Sequence, residues 1–112
     1  MTLFDERKRA FENLFALEEE LRFRALVRRN QLFARWAAEQ LGLRGSECRA
    51  YIQSFVEGAV RPAADETLLE RVRRDLVACD DEVSDERIRA AMVRATAEAV
   101  RQVRTEARGP VT

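Results

Sequence analysis

Apolar residues recur at helical spacing from the first residues of the chain onward. Near the start they form one stripe, whose members are Phe4, Phe11, Leu14 and Phe15. A second stripe follows in nearly the same direction, with Ala25, Leu32, Phe33 and Trp36. Residues three, four and seven apart share one face of a helix, so this pattern predicts helix from about Asp5 to Leu41, with Thr2 or Asp5 as cap and Gly42 as stop.

Charged residues interrupt the apolar face between the two stripes. Glu18, Arg22 and Arg29 occupy positions where the pattern calls for apolar side chains. The triplet 18–20 therefore predicts a joint between an arm, residues 1–19, and a helix over about 20–41. Glutamate is a good helix former, so the backbone can remain helical through the joint.

Three more amphipathic helices follow. Ser46 is the expected cap of the next one, which Gly58 and Pro62 end. Its apolar face is Cys48, Tyr51, Ile52, Phe55, Val56 and Ala59. We expect Asp65 to cap another helix, whose apolar face is Leu68, Leu69, Val72, Leu76 and Cys79.

The last helix is predicted over 85–107, with Ser84 or Asp85 as its cap. Its apolar positions are Ile88, Ala91, Met92, Ala95, Ala99 and Val103. Amphipathic helices with short connections bury their stripes against one another, so the fold class is all-α: a four-helix bundle over residues 20–107, an arm over 1–19 that is helical or partly mobile, and a disordered tail over 108–112. The largest contributions to the core are expected from Phe33, Trp36, Ile52, Phe55, Leu69, Leu76 and Met92.

Composition narrows the function classes. The 112 residues suit one domain, 46% hydrophobic and 36% charged, with 20 basic and 20 acidic residues and no histidine. Without histidine, a phosphate-binding glycine loop or a paired nucleophile, we expect neither an enzyme nor a metal or cofactor. Zero net charge argues against a nucleic-acid partner.

Charge and cysteine placement add two local expectations. Residues 22–35 carry arginines and no acid, whereas 65–86 are rich in acids. These segments either attract each other within the fold or, as surface charges more often do, form solvated faces of neighbouring helices. Cys48 and Cys79 lack metal-ligand spacing and are expected to be small core residues without a disulfide. No apolar run approaches the roughly 20 residues of a membrane span, and no signal-peptide pattern opens the chain, which predicts a cytoplasmic protein.

The arm itself leaves two alternatives open. Its apolar stripe either docks in the groove of a partner protein or covers the protein's own bundle. In the first case the candidate partner-binding residues are Phe4, Asp5, Arg7, Lys8, Phe11, Glu12, Leu14 and Phe15. The apolar members would be anchors, and the charged ones would fix register and keep a free arm in solution.

Several short motifs carry a resemblance to a known family. They are Phe4-Asp5-Glu6-Arg7, Ala10-Phe11-Glu12, Glu20-Leu21 with Phe23, Ala25, Arg28-Arg29-Asn30, Trp36-Ala37-Ala38-Glu39 and Leu41-Gly42. With them the chain resembles the zeta-type inhibitor subunit of the F-type ATP synthase of alphaproteobacteria. It looks like a divergent member, since Leu14 and Leu17 stand where the family usually has lysine and histidine.

The resemblance implies a function as well as a fold. It implies a protein inhibitor, monomeric when free, whose N-terminal helix enters an interface between the alpha and beta subunits, reaches the gamma subunit and blocks rotation in the hydrolysis direction. Such an inhibitor stays in the cytoplasm, peripheral to the inner membrane through the synthase. The alternative is a helical binding module for another protein or a purine nucleotide, without inhibitory activity.

Overall fold

The computed structural model describes residues 2–57 and 64–109. This part of the chain is all-helical and contains no strand. Its helices are α1 (Leu3–Phe15), α2 (Glu19–Gln40), α3 (Gly45–Gln53), α4 (Asp65–Ala78) and α5 (Asp85–Ala107). The sequence therefore correctly predicted an all-helical protein and the bounds of the last helix.

Helix α5 lies at the centre of the arrangement, because α1, α2 and α4 all pack on it. Arg28, early in α2, bonds to Glu106 near the end of α5, so these two long helices run antiparallel. A sharp turn at Ala16–Glu18 reverses the chain between α1 and α2. Helix α1 consequently runs parallel to α5, on the side that α2 leaves open.

Two apolar clusters hold the helices together. The main cluster joins α2, α4 and the first half of α5 with the residues that follow α3. Its buried members are Phe33, Ala34, Ala37, Phe55, Leu68, Leu69, Val72, Leu76, Ile88, Ala91, Met92 and Ala95. Five of the seven expected core residues are among them, whereas Trp36 and Ile52 are half-buried against the cluster.

The smaller cluster, which we call the arm cluster, lies at the other end of α5. Its buried members are Leu14, Leu17, Ala25, Val100 and Val103. Phe11, Leu21 and Leu26 pack against its edge. The end of α1 and the turn after it are thus packed on α2 and α5.

Helix ends agree with the expectations at Thr2, Ser84 and Gly42. The Ser84 hydroxyl accepts a hydrogen bond from the backbone N–H of Arg87, as a capping residue does. After α2, Gly42 has a φ of 73°, and Leu43 N–H returns to the carbonyl of Ala38, which closes the helix end.

Two expected caps were wrong. Helix α4 begins at Asp65, with Ala64 before it, because the Asp65 carboxylate accepts from Arg29 at 2.6 Å and does not cap. Helix α3 begins at Gly45, so Ser46 lies inside the helix and its hydroxyl does not cap it. That helix also ends earlier than expected, at Gln53, where tighter backbone bonds such as Phe55 N–H to the Ile52 carbonyl replace the α-helical ones.

The expectation for the cysteines was also wrong. Cys79 is exposed, because it caps the end of α4 where the chain turns outward through Asp80, whose φ is 54°. Cys48 is only half-buried on α3. The predicted stops at Gly58 and Pro62, the predicted apolar position Ala59 and most of the predicted tail lie outside the described residues.

Candidate functional site on the N-terminal helix

Helix α1 starts with strong local signals. The Thr2 hydroxyl accepts a hydrogen bond from the backbone N–H of Asp5 at 3.2 Å. Asp5 and Glu6 place negative charge in the first turn, where it complements the positive end of the helix dipole. Local signals in the sequence therefore set where this helix begins.

The inner face of α1 is apolar and buried. Ala10 and Leu14 are 4% and 3% exposed, and Leu17 in the following turn is 6% exposed. Leu14 and Leu17 belong to the arm cluster with Val100 and Val103 of α5. The arm therefore packs on the rest of the protein, α2–α5, which we call the bundle. This was one of the two alternatives left open by the sequence.

The outer face of α1 carries aromatic rings and charges. Phe4 is 74% exposed and Phe15 is 63% exposed. Phe11 lies at the border between the two faces, half-buried, with its ring 6.3 Å from that of Phe15. The Arg7 guanidinium lies over the Phe11 ring at 5.4 Å, a cation–π contact.

The structure thus divides the predicted partner-binding residues into two groups. Leu14 is buried and Phe11 half-buried against the bundle. The others are exposed on α1: Phe4, Asp5, Arg7, Lys8, Glu12 and Phe15. A partner that approaches the docked arm meets the second group and not Leu14.

Two arginines from other helices bind the C-terminal end of α1. Arg22 Nη2 donates to the carbonyls of Leu17 at 2.9 Å and Phe15 at 3.3 Å. Its guanidinium also lies 5.5 Å from the centre of the Phe15 ring. Arg104 of α5 donates to the Asn13 carbonyl at 3.5 Å. The last turn of α1 has no basic residue of its own, so these cations from outside complement its negative dipole end.

The N-terminal half of α1 is packed less closely than the C-terminal half. A cavity of about 230 Å³ separates it from α4 and α5. Its lining includes Leu3, Phe4 and Arg7 from α1, and Leu69 and Met92 from the bundle. The arm is therefore anchored at its end and loosely seated at its beginning.

An ion pair fixes the two bundle helices beside the arm cluster. Arg28 of α2 donates to both carboxylate oxygens of Glu106 on α5, at 2.7 and 2.9 Å, and to Gln102 at 2.8 Å. These hydrogen bonds lower the pKa of the Glu106 carboxyl and raise the pKa of Arg28. The surface that receives the arm is thus held in register by a bidentate pair.

A second ion pair joins α2 to α4. Arg29, only 2% exposed, donates to Asp65 at 2.6 Å and to the neighbouring Asn30. This contact is an attraction between the basic segment 22–35 and the acidic segment 65–86, the less favoured of the two alternatives that the sequence left open. It also explains why an arginine can occupy a position on the apolar face: its charge is compensated within the fold.

Sequence reasoning missed two residues of this site. Leu17 was not assigned a role, although its spacing of three from Leu14 continues the buried face. Arg22 was interpreted as part of a charged break between arm and bundle, whereas it binds the two together. The same charge can separate two packed segments or join them, and the sequence pattern does not distinguish the cases.

Metal ligation and membrane spanning are two further roles that the described helices could have. Within residues 2–57 and 64–109 no group of three or more acidic or cysteine side chains is placed to hold a metal ion. None of the helices in this described part is both long and apolar enough to cross a membrane. What α1 presents is an aromatic and charged surface on a short helix.

Comparison with known proteins gives this surface a context. A search of curated proteins finds no match. A family model, described as ATPase inhibitor subunit zeta, matches residues 1–102. Because that match spans most of the 112 residues and includes all of α1, the chain belongs to the ATPase inhibitor subunit zeta family.

Proposed function

We propose that this protein inhibits ATP hydrolysis by the F-type ATP synthase, with residues 1–19 as the inhibitory segment. Helix α1 would enter an interface between the alpha and beta subunits, contact the gamma subunit and block rotation in the hydrolysis direction. Family membership supports the general role, since an inhibitor subunit acts on an ATP synthase and is not itself an enzyme.

The exposed rings of α1 carry the proposal. Phe4 is 74% exposed, so its ring leaves apolar surface in contact with water. Burial of that surface in a partner's groove would be favourable. Phe15 is similarly exposed at the other end of the helix, next to the turn. Aromatic anchors of this kind commonly dominate binding free energies, whereas the charged residues around them contribute to orientation and association rate.

The remaining helices have a carrier role in this proposal. In this proposal α2–α5 act as the four-helix bundle, and the turn at Ala16–Glu18 is the joint from which α1 swings. The bundle stays outside the catalytic head while α1 inserts. The protein would then be monomeric when free and peripheral to the inner membrane, on its cytoplasmic side, when bound to the synthase.

Deleting residues 1–19 is the direct test. The truncated protein and the full chain are added to the isolated catalytic head of the ATP synthase from the same source, and ATP hydrolysis is measured. We expect the full chain to inhibit and the truncated one to be inactive, with circular dichroism confirming that the bundle helices persist. Equal inhibition by both proteins would contradict the proposal.

Point variants refine that test without exposing the arm cluster. Phe4→Ala and Phe15→Ala should each raise the half-inhibitory concentration, by roughly 30-fold or more if the ring is a hot spot of at least about 2 kcal/mol. Phe23→Ala is the matched control, because this ring is 49% exposed on α2, outside the proposed segment. A loss of inhibition by Phe23→Ala equal to that of Phe4→Ala would show that α1 is not the inhibitory surface.

One observation favours the second candidate function. Leu14 and Leu17 are buried in the protein's own fold, so α1 can also be a permanent part of the domain. The protein would then be a binding module for another partner and would not inhibit. Failure of the full chain to inhibit hydrolysis at any concentration tested would favour this alternative.

A further inference from the structure

We infer that the arm cluster is an autoinhibitory latch: it holds α1 on the bundle in the free protein and must open before α1 can insert into the ATP synthase. This inference rests on the proposed function and concerns its regulation. The latch consists of Leu14 and Leu17 on the arm side and Ala25, Val100 and Val103 on the bundle side.

The first argument is that one apolar face cannot be buried in two places. Ala10 and Leu14 are the buried residues of α1 and form its inner face, at 4% and 3% exposed. A helix that inserts into a partner's groove lays its apolar face against that partner, and the apolar face of α1 includes Leu14, which is now packed on α5. Docking on the bundle and insertion into the partner are therefore competing states of the same segment.

The second argument is the position of the polar ties. Arg22 and Arg104 bind carbonyls at residues 13–17, all at the C-terminal end of α1. Arg22 is on α2 and Arg104 is on α5. Their hydrogen bonds to the arm would break if residues 13–17 moved away from these helices. They add directional bonds to a contact that is otherwise apolar.

The third argument is the uneven packing along α1. Its first turns lie over the cavity of about 230 Å³, whereas its last turn is closely packed. Fewer apolar contacts therefore hold the first turns than the last one, so the beginning of the arm is the easier part to lift. Phe4, at this loose end, is exposed and available for first contact with a partner. Opening would then proceed from the N-terminus towards the turn at Ala16–Glu18.

A latch has a measurable consequence for affinity. When only a fraction of the free protein is in the open state, the apparent dissociation constant is larger than the intrinsic one by the inverse of that fraction. Substitutions that weaken the latch without altering the inhibitory face should therefore strengthen inhibition. This gain distinguishes a latch from a structural contact, whose loss can only weaken function.

Two variants weaken the latch from opposite sides. Leu17→Ala removes a buried side chain in the turn beyond α1, outside the candidate partner-binding residues. Val103→Ala changes the bundle side and leaves the arm sequence intact. Val72→Ala is the matched control, because Val72 is fully buried in the main cluster and does not belong to the arm cluster.

The experiment combines two measurements on the full-length variants. Amide exchange of α1 in the free protein should become faster in Leu17→Ala and Val103→Ala than in the unmodified chain. In the hydrolysis assay, the half-inhibitory concentration should fall by about tenfold or more for both variants. Val72→Ala should lower the unfolding midpoint but leave the half-inhibitory concentration unchanged.

The two measurements separate the possible failures. Unchanged exchange of α1 in both latch variants would show that this cluster does not hold the arm, and would overturn the latch. Faster exchange with unchanged or weaker inhibition would show that α1 acts without leaving the bundle, which also overturns it. Absence of inhibition by every protein, including Leu17→Ala, would refute the proposed function, while the exchange result still decides whether the cluster holds the arm.

Discussion

Leu14 in the arm cluster and Leu68 in the main cluster are equally buried, each 3% exposed, yet the chain around them differs. Leu68 is on α4, and its cluster takes residues from α2, α4, α5 and the segment after α3. Leu14 is on a terminal helix of 13 residues that is joined to the rest by one short turn. We therefore expect that α1 can undock without unfolding α2–α5, whereas α4 shares its cluster with three other parts of the chain.

The comparison teaches that burial alone does not measure a residue's contribution to global stability. Replacing a buried leucine by alanine lowers the free energy of unfolding by about 2–5 kcal/mol when the surrounding core cannot collapse into the cavity. If α1 undocks as a unit, the loss at Leu14 is limited by the free energy with which the arm docks. The predictions below test this difference.

The largest effect is expected from the matched leucines. Leu68→Ala should lower the free energy of unfolding by about 2–5 kcal/mol, because it leaves a cavity in the main cluster. Leu14→Ala should lower it less, since the arm can undock. Chemical denaturation followed by circular dichroism measures both. Equal losses would mean that α1 and the bundle unfold as one cooperative unit.

A smaller effect is expected from the ion pair that ties α2 to α4 through the main cluster. Asp65→Asn replaces the carboxylate that accepts from the buried Arg29 by a neutral amide and should cost about 1.5–3 kcal/mol, the range for hydrogen bonds to charged groups. Glu66→Gln is the control, because the Glu66 pair with Arg89 is solvent-exposed and contributes about 0–1 kcal/mol. A Glu66→Gln loss as large as that of Asp65→Asn would remove the distinction between the two pairs.

The smallest effect concerns the pair beside the arm cluster. The hydrogen bonds from Arg28 lower the pKa of Glu106 below that of the unfolded chain. Its stabilising contribution is therefore present above the unfolded pKa, about 4.3 for glutamate, and is lost as pH falls through the lower folded value. The Glu106→Gln variant should show a smaller loss of stability over that acidic range in thermal unfolding. An unchanged pH profile would show that this pair contributes nothing measurable.

Most of the secondary structure was predictable from the sequence, because its signals are local. The periodicity of apolar residues predicted helix over 85–107, and Ser84 was expected as a possible cap. Local signals failed where a distant residue competed for the same group. Asp65 has the chemistry of a cap, but Arg29 binds its carboxylate, and Cys79 has an apolar position on α4 but lies where the chain leaves the helix.

The candidate site was predictable only in part. The sequence placed Phe4, Leu14 and Phe15 on one stripe, yet the buried face of α1 is centred on Ala10 and Leu14. At about 100° per residue, that face is displaced by roughly a quarter turn from the exposed phenylalanines. A broad apolar stripe fits several rotations about the helix axis, so the packed one depends on the surface that receives it.

The sequence by itself determined that this protein is helical, where its long helices lie and which family it belongs to. These properties follow from short-range periodicity and motifs, which need no knowledge of distant contacts. Only the tertiary structure decided that α1 turns back onto α5, that Leu14 and Leu17 are covered while Phe4 and Phe15 are exposed, and that Arg22 binds the arm. Those outcomes depend on side chains brought together from opposite ends of the chain, such as Leu14 and Val103, and no local pattern encodes that juxtaposition.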